Sequence, residues 1–354
     1  MHLLDDRKTY ERLDPDGLGG RIGGLAQQCR EAWDRAKKFD FPHDFQDVDR
    51  LIVIGLGGSA IAGDIVRALA MPYGRKAVLV YRGYNAPPLV DNRSLTVACS
   101  HSGETEEVLS AFAKALASES KKLVITTGGK LLATAQSWEL PAYTYSYAGE
   151  PRSALGESLM PLLATAQAAR ALPKMDTDIK ESIALLEEMK GEIEESVPFE
   201  RNAAKQMASR MEGKLPVVYG AEVLTEAAHR WKTQFNENSK VWAFYEELSE
   251  ANHNAIEGYG LAKGVAERAY VVFLHHSRLH SRLTLRYQAT QEALTAAGVT
   301  SERVEARGES DLARILTASY LGDYVSYYLA MVNGVRPSPV PAIQKLKGWL
   351  ASEK

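Results

Sequence analysis

The chain alternates between two textures. Its first forty or so residues are polar, with apolar positions returning at helical spacing (Leu25, Cys29 and Trp33 among them), and Pro42 closes the stretch. Arg50-Leu51-Ile52-Val53-Ile54-Gly55 then forms a short, almost wholly apolar run ending in glycine, as expected of a strand buried on both faces in a parallel sheet. Ala77–Tyr81, Leu95–Ser100, Lys122–Thr126 and Ala142–Tyr145 repeat the pattern, and helix-like segments separate the first four strands, notably Gly63–Ala70 and Thr105–Ser118. Strands alternating with helices predict a parallel sheet covered by helices on both faces.

From Leu155 to Arg210 the pattern is helical, rich in alanine, leucine, glutamate and lysine, with breaks at Pro173 and Pro198. Then the first texture returns. Leu215-Pro216-Val217-Val218-Tyr219-Gly220 is a second strand ending in glycine, followed by candidates at Val241–Tyr245, Ala269–Leu274 and Arg303–Glu305. A proline-rich turn, Arg336–Pro341, leads into an amphipathic helix running to Lys354. The expected architecture is α/β: two doubly wound parallel-sheet domains of the flavodoxin-like three-layer α/β/α type, joined by helices. The first domain spans 1–172 with a helical N-terminal extension. The second spans 173–354 and takes in the linker helices and the C-terminal helix.

Composition narrows the function. A length of 354 residues suits two domains, and a net charge of −3 gives no broad electrostatic reason to bind nucleic acid or an acidic membrane. The two cysteines, Cys29 and Cys99, make neither a disulfide framework nor a zinc cluster, which fits a reducing compartment. No apolar run approaches the ~18 residues of a membrane span. Met1–Lys8 lacks the apolar core of a secretory signal, so the expected location is the cytoplasm. No histidine pair has His-Glu-x-x-His spacing, and no metal is expected.

The chemistry gathers at strand–helix junctions. The first strand runs into Gly55-Leu56-Gly57-Gly58-Ser59, where glycines permit a tight turn and the following helix offers free N–H groups to an anion. The third strand ends in Ser100-His101-Ser102-Gly103-Glu104-Thr105, with three hydroxyls where one would suffice for an N-cap. Together these predict a lysine-free phosphate cradle at the carboxyl ends of neighbouring strands, where doubly wound sheets bind ligands. The turn also matches dinucleotide spacing. The second strand, however, ends at Arg82 rather than an acidic residue, so only an NADP reading survives, and that leaves the hydroxyl cluster without a task. Three further polar segments stand apart: Glu150-Pro151-Arg152-Ser153, Phe235-Asn236-Glu237-Asn238-Ser239-Lys240, and His253-Asn254-Ala255-Ile256-Glu257-Gly258.

Taken in order, these segments, with Ile125–Leu131, make the chain resemble the bifunctional phosphoglucose/phosphomannose isomerases of the phosphoglucose isomerase superfamily. The resemblance implies two sugar-isomerase (SIS) domains, no cofactor, a homodimer, and isomerisation of glucose 6-phosphate, and of mannose 6-phosphate, with fructose 6-phosphate. It implies that Gly58, Ser59, Ser100, Ser102 and Thr105 hold the hexose phosphate, and that Glu237 is the base moving a proton between C1 and C2. It places Arg152 beside the reacting oxygens, has His253 open the sugar ring from across the dimer, and sets Lys347 near the ring oxygen. Relatives carry an acidic residue and a threonine around the C-terminal turn. Here the turn reads Arg336-Pro337-Ser338-Pro339, and Ser338 is the hydroxyl available for admitting both C2 epimers. Two alternatives are an SIS isomerase of another sugar phosphate and a non-catalytic sugar-phosphate-binding regulator. Against the regulator, the first 45 residues are too short and acidic for a basic helix-turn-helix module.

Overall fold

The computed structural model describes residues 2–353 except Pro88 and Ala262, together with all side chains in that span but those of Leu261 and Lys263. Three helices, α1 (Arg7–Leu13), α2 (Leu18–Gly23) and α3 (Leu25–Ala36), precede the first sheet. Cys29 and Trp33 lie on the buried face of α3, which packs on later helices.

Five parallel strands, β1 (Arg50–Ile54), β2 (Ala77–Tyr81), β3 (Ser94–Ser100), β4 (Lys121–Thr126) and β5 (Ala142–Thr144), lie in the order β2-β1-β3-β4-β5. β1 is apolar from Leu51 to Ile54 because it has neighbours on both edges and helices on both faces. The chain leaves β1 towards β2 and returns past it to β3, so the topological switch falls between β1 and β3. Ile54 stands opposite Ala98, which sets the ends of these two strands side by side. Around this sheet run α4 (Gly57–Ala70), α5 (Glu106–Leu116) and α6 (Gly129–Ser137). α4 starts at the glycine turn, six residues before the expected Gly63. Gly63 is interior to it, and a Cβ there would lie 3.0 Å from Val53 Cγ1, so glycine lets the helix approach the sheet closely.

Helices α7 (Leu155–Ala168), α8 (Asp176–Ile193) and α9 (Ala203–Arg210) lead to a second parallel sheet of β6 (Leu215–Ala221), β7 (Phe244–Leu248), β8 (Ala269–His275) and β9 (Thr300–Glu305), in the order β7-β6-β8-β9. The connecting helices are α10 (Leu224–Gln234), α11 (Lys263–Ala266) and α12 (Ser281–Ala296). β7 lies three residues later than the Val241–Tyr245 run predicts. Val241 is instead used to close the preceding turn, its N–H donating to Phe235 O (3.2 Å) and its carbonyl accepting from Asn236 (2.9 Å). As an edge strand β7 tolerates Glu246 and Glu247, which an apolar-run criterion passes over. β9, the opposite edge, begins three residues before Arg303 for the same reason.

Helix α13 (Asp311–Val332) is apolar on all sides because α8, α9 and α10 surround it. Tyr320, Tyr324, Tyr327 and Tyr328 are fully buried along it, and Gly322 makes room for Trp231, whose Nε1 would lie 2.3 Å from an added Cβ. The last helix, α14 (Pro341–Ser352), has no buried residue. Among the described residues no helix is long and apolar enough to cross a membrane.

Candidate active site

Two strand–helix junctions meet at the switch point of the first sheet. Gly57 opens α4 with φ +53°, and the N–H groups of Gly57 and Gly58 at its start have no intrahelical acceptor. A Cβ on Gly58 would stand 2.8 Å from the Pro151 carbonyl, so this glycine presses the start of α4 against the 3-10 turn Pro151–Ser153 that carries Arg152. Ser59 is buried on the first turn of α4.

At the neighbouring junction the Ser100 hydroxyl accepts from Gly103 N (3.1 Å) and shares a hydrogen bond with Thr105 Oγ1 (2.8 Å), while Ser102 Oγ accepts from Glu104 N (3.2 Å). The loop is braced from outside. Gly103 has φ +68°, and a Cβ there would fall 1.9 Å from Gly128 O, in the following β4–α6 turn. The hydroxyls therefore sit in a preformed curve around the N-terminus of α5, which suits a phosphate dianion.

The chemical groups come from further along the chain. Helix α10 continues into a π-helical turn, Phe235–Ser239, that ends at Lys240 in a left-handed conformation (φ +58°). Such widened turns often mark functional positions. Here the turn buries Asn238 and Ser239 while leaving Glu237 part-exposed in the cleft. Asn238 donates to Ser326 Oγ (3.0 Å) and Ser239 to the Ser326 carbonyl (2.6 Å), tying the turn to α13.

Arg152 is 5% exposed, and four of the five N–H groups of its guanidinium have acceptors. Nε donates to Asn238 Oδ1 (2.6 Å), one terminal nitrogen to the Pro337 and Ser338 carbonyls (2.8 and 2.9 Å), and the other to Glu237 Oε2 (3.3 Å). Burial pulls the Arg152 pKa below its usual value while Glu237 and Glu150 oppose that shift. Lys240 donates to the Pro337 carbonyl at 3.0 Å, and burial and the Arg152 charge push it down to about 8. The C-terminal turn is thus an anchor for Arg152. Ser338 contributes its carbonyl, and its hydroxyl lies 3.5 Å from Arg21, which pairs with Glu150.

A second layer holds this arrangement. Arg230 on α10 donates to the Arg152 carbonyl (2.9 Å) and to Asp323 (2.7 Å), and Gln234 donates to the other Asp323 oxygen (2.8 Å). Sequence reading missed these residues. The available signal was Asp323, the only carboxylate between Leu312 and Met331 in an otherwise largely apolar stretch.

A cleft of about 180 Å³ brings Gly58, Arg152 and Glu237 together with Arg82 and His229. His253 lies elsewhere, exposed on the 3-10 turn Glu250–His253, and Lys347 is exposed on α14. Within one chain the fold therefore joins Arg152 to Glu237 and sets the glycine and hydroxyl junctions side by side at the carboxyl ends of β1 and β3, while His253 and Lys347 stay outside.

Two doubly wound parallel sheets with a glycine–hydroxyl junction at the switch point define a two-domain sugar-isomerase protein. Residues 200–350 match the family described as bacterial phospho-glucose isomerase C-terminal SIS domain. The chain is 36% identical to the bifunctional phosphoglucose/phosphomannose isomerase of Caldicellulosiruptor bescii, covering 94% of this chain and 98% of that one. It is 33% identical to the protein of the same name from Thermoplasma acidophilum, over 91% and 98% of the two chains. A solved glucose-6-phosphate isomerase like protein from Thermus thermophilus shares the fold, with a TM-score of 0.63, 18% identity, and 98% and 99% of the two chains covered. The chain belongs to the bifunctional phosphoglucose/phosphomannose isomerase family.

Proposed function

We propose that this protein is an aldose–ketose isomerase that interconverts glucose 6-phosphate and mannose 6-phosphate with fructose 6-phosphate through an enediol, with no metal or redox cofactor in the reaction. The observation that carries this reading is the placement of Glu237 3.3 Å from the anchored Arg152, in a cleft walled by the Gly57–Gly58 turn that leads into Ser59.

The phosphate docks on Ser59, Ser100, Ser102, Thr105 and the amides at the start of α4 and α5, and that binding energy orients the reacting carbons. In the open-chain aldose Glu237 takes the proton from C2. The C–H electron pair becomes the C1–C2 double bond, and negative charge moves to O1. Arg152 cannot move away from that oxygen without breaking its bonds to Asn238 and the C-terminal turn, so its charge is ready before reaction. The proton of the C2 hydroxyl passes to O1, Glu237 returns its proton to C1, and C2 becomes the ketone. C2 is planar in the enediol, so glucose and mannose 6-phosphate converge on one intermediate.

The expected result on chelator-treated protein is isomerisation in two coupled assays, fructose 6-phosphate to glucose 6-phosphate and mannose 6-phosphate to fructose 6-phosphate. Turnover of neither sugar overturns the reading.

Ring opening falls to His253 of the partner subunit in a homodimer, with Lys347 brought to the ring oxygen when α14 docks. Two exposed apolar surfaces support this assembly. α14 presents Leu346 and Trp349, 55% and 58% exposed, and residues next to and within β7 present Trp242, Phe244 and Tyr245, with Trp242 at 73%. Patches of this kind mark interaction surfaces. Mixing two inactive variants, Glu237→Gln and His253→Ala, is expected to restore turnover, because a mixed dimer holds one complete site. No recovery in a demonstrated mixed dimer places His253 in the same chain's site, and full turnover by His253→Ala alone places it outside catalysis.

A further inference from the structure

Beside the cleft, Asp64 and Arg67 on α4 face Glu226 and His229 on α10. The ligand atoms of Asp64, Glu226 and His229 all lie within 4.8 Å of one another, and His229 Nδ1 is 3.9 Å from Asp64 Oδ2. Asp64 and Glu226 are 4% and 5% exposed. Each carboxylate gives one oxygen to an arginine, Asp64 to Arg82 and Glu226 to Arg67. Among the described residues the second oxygen of each takes no hydrogen bond, and neither does the His229 ring. That ring is held in plane by Tyr245, stacked at 4.7 Å and 19°.

We propose that Asp64, Glu226 and His229 form a binding site for one divalent transition-metal ion of the zinc class, separate from the isomerisation chemistry. Two carboxylates and an imidazole are a mixed oxygen–nitrogen set of the kind that holds zinc. An ion at about 2.0–2.2 Å from tetrahedral donors needs them about 3.3 Å apart, so the donor atoms approach one another by up to about 1.5 Å to close the site. The arginines orient the carboxylates: Arg82 holds Asp64 Oδ2, the oxygen 3.9 Å from His229 Nδ1, and Arg67 holds Glu226 Oε1, so each carboxylate keeps one oxygen without a hydrogen bond among the described residues. Arg67 and Arg82 are partly exposed, at 40% and 35% of their side chains, which leaves them room to adjust.

A route exists. Glu226 also lines a groove of about 500 Å³ whose walls carry Glu222, Glu247 and Asp311, a concave acidic surface that draws cations inward. The site links α4, from the first sheet, to α10, which carries Glu237. It also shares His229 and Arg82 with the catalytic cleft, so an ion there clamps the two sheets' helices together next to the reacting groups.

The test titrates zinc chloride into chelator-washed, full-length protein in competition with a chromophoric zinc indicator. The expected result is one ion per chain, with binding weakened at least about tenfold in each of Asp64→Asn, Glu226→Gln and His229→Ala, and a rise in thermal midpoint with zinc that the variants lose. Absence of saturable binding, or equal affinity in wild type and all variants, overturns the proposal. Among the described residues His229 makes no hydrogen bond, so His229→Ala keeps the test decisive if the buried carboxylate variants fail to fold. Unchanged zinc affinity in that variant alone is sufficient to reject the site. The readout is binding, so its outcome is independent of whether the protein turns over hexose phosphates.

Discussion

Replacing Glu237 with glutamine leaves fructose 6-phosphate bound and lowers kcat by about a thousandfold or more, at the upper part of the range for loss of a general base. Glutamine has the same shape, and its amide oxygen can still accept from Arg152, now 3.3 Å from the carboxylate. The π-helical turn is held through Asn238 and Ser239 rather than through the Glu237 side chain, so the substitution leaves the turn in place. The phosphate contacts we propose lie at the starts of α4 and α5 and do not involve residue 237. An amide cannot accept a proton from carbon, so exchange with solvent of the ketose C1 hydrogen, and of the aldose C2 hydrogen, stops together with turnover. Coupled assays give kcat, calorimetry gives the dissociation constant for fructose 6-phosphate, and proton exchange is followed in deuterated buffer. A kcat within tenfold of wild type removes Glu237 from the role of base.

Arg152→Lys has the second large effect, lowering kcat by about 100- to 1,000-fold and also lowering the thermal midpoint. The change keeps one positive charge, but it removes a planar fork whose nitrogens reach four acceptors in different directions. An ammonium on a flexible stem cannot meet Asn238, two backbone carbonyls and Glu237 at once. Acceptors left unmet in a buried site cost about 1–3 kcal/mol each, which accounts for the lost stability. The C-terminal turn loses its tether as well, because Arg152 holds the carbonyls of Pro337 and Ser338. If charge alone mattered, the lysine variant would keep most of its kcat, and that outcome would remove the anchored-guanidinium argument.

These two positions differ in how much of their role could be read from the chain. Glu237 stands in a dense polar segment at the end of a helix, and the segment's order relative to the glycine turn and the hydroxyl cluster carried the family resemblance. Nothing local in Glu150-Pro151-Arg152-Ser153 marks Arg152 as buried. Only packing shows that it is buried, and that the segments 85 residues onward and at the C-terminal turn supply its acceptors. Asp323 and Arg230 were hidden for a similar reason. A buried ion pair leaves no local pattern, since its partners sit 93 residues apart on different helices. The same holds for Asp64, Glu226 and His229, which no spacing rule groups because two helices from different sheets bring them together. Ser338 shows the converse. Its hydroxyl drew attention in the sequence, and the fold uses its carbonyl.

By itself the sequence determined the strands, their parallel pairing and the two glycine- and hydroxyl-rich junctions, because buried strands need continuous apolar runs and tight turns need glycine, and both are local requirements. It missed the edge strands β7 and β9 by three residues, because an edge is half solvated and its residues need not be apolar. The tertiary structure alone decided which polar groups face one another: Arg152 against Glu237, Asp323 behind them, and the carboxylate–imidazole cluster between the sheets. Those pairings depend on distances set by helix packing, and the sum of many weak apolar contacts that sets them has no signature at any single position.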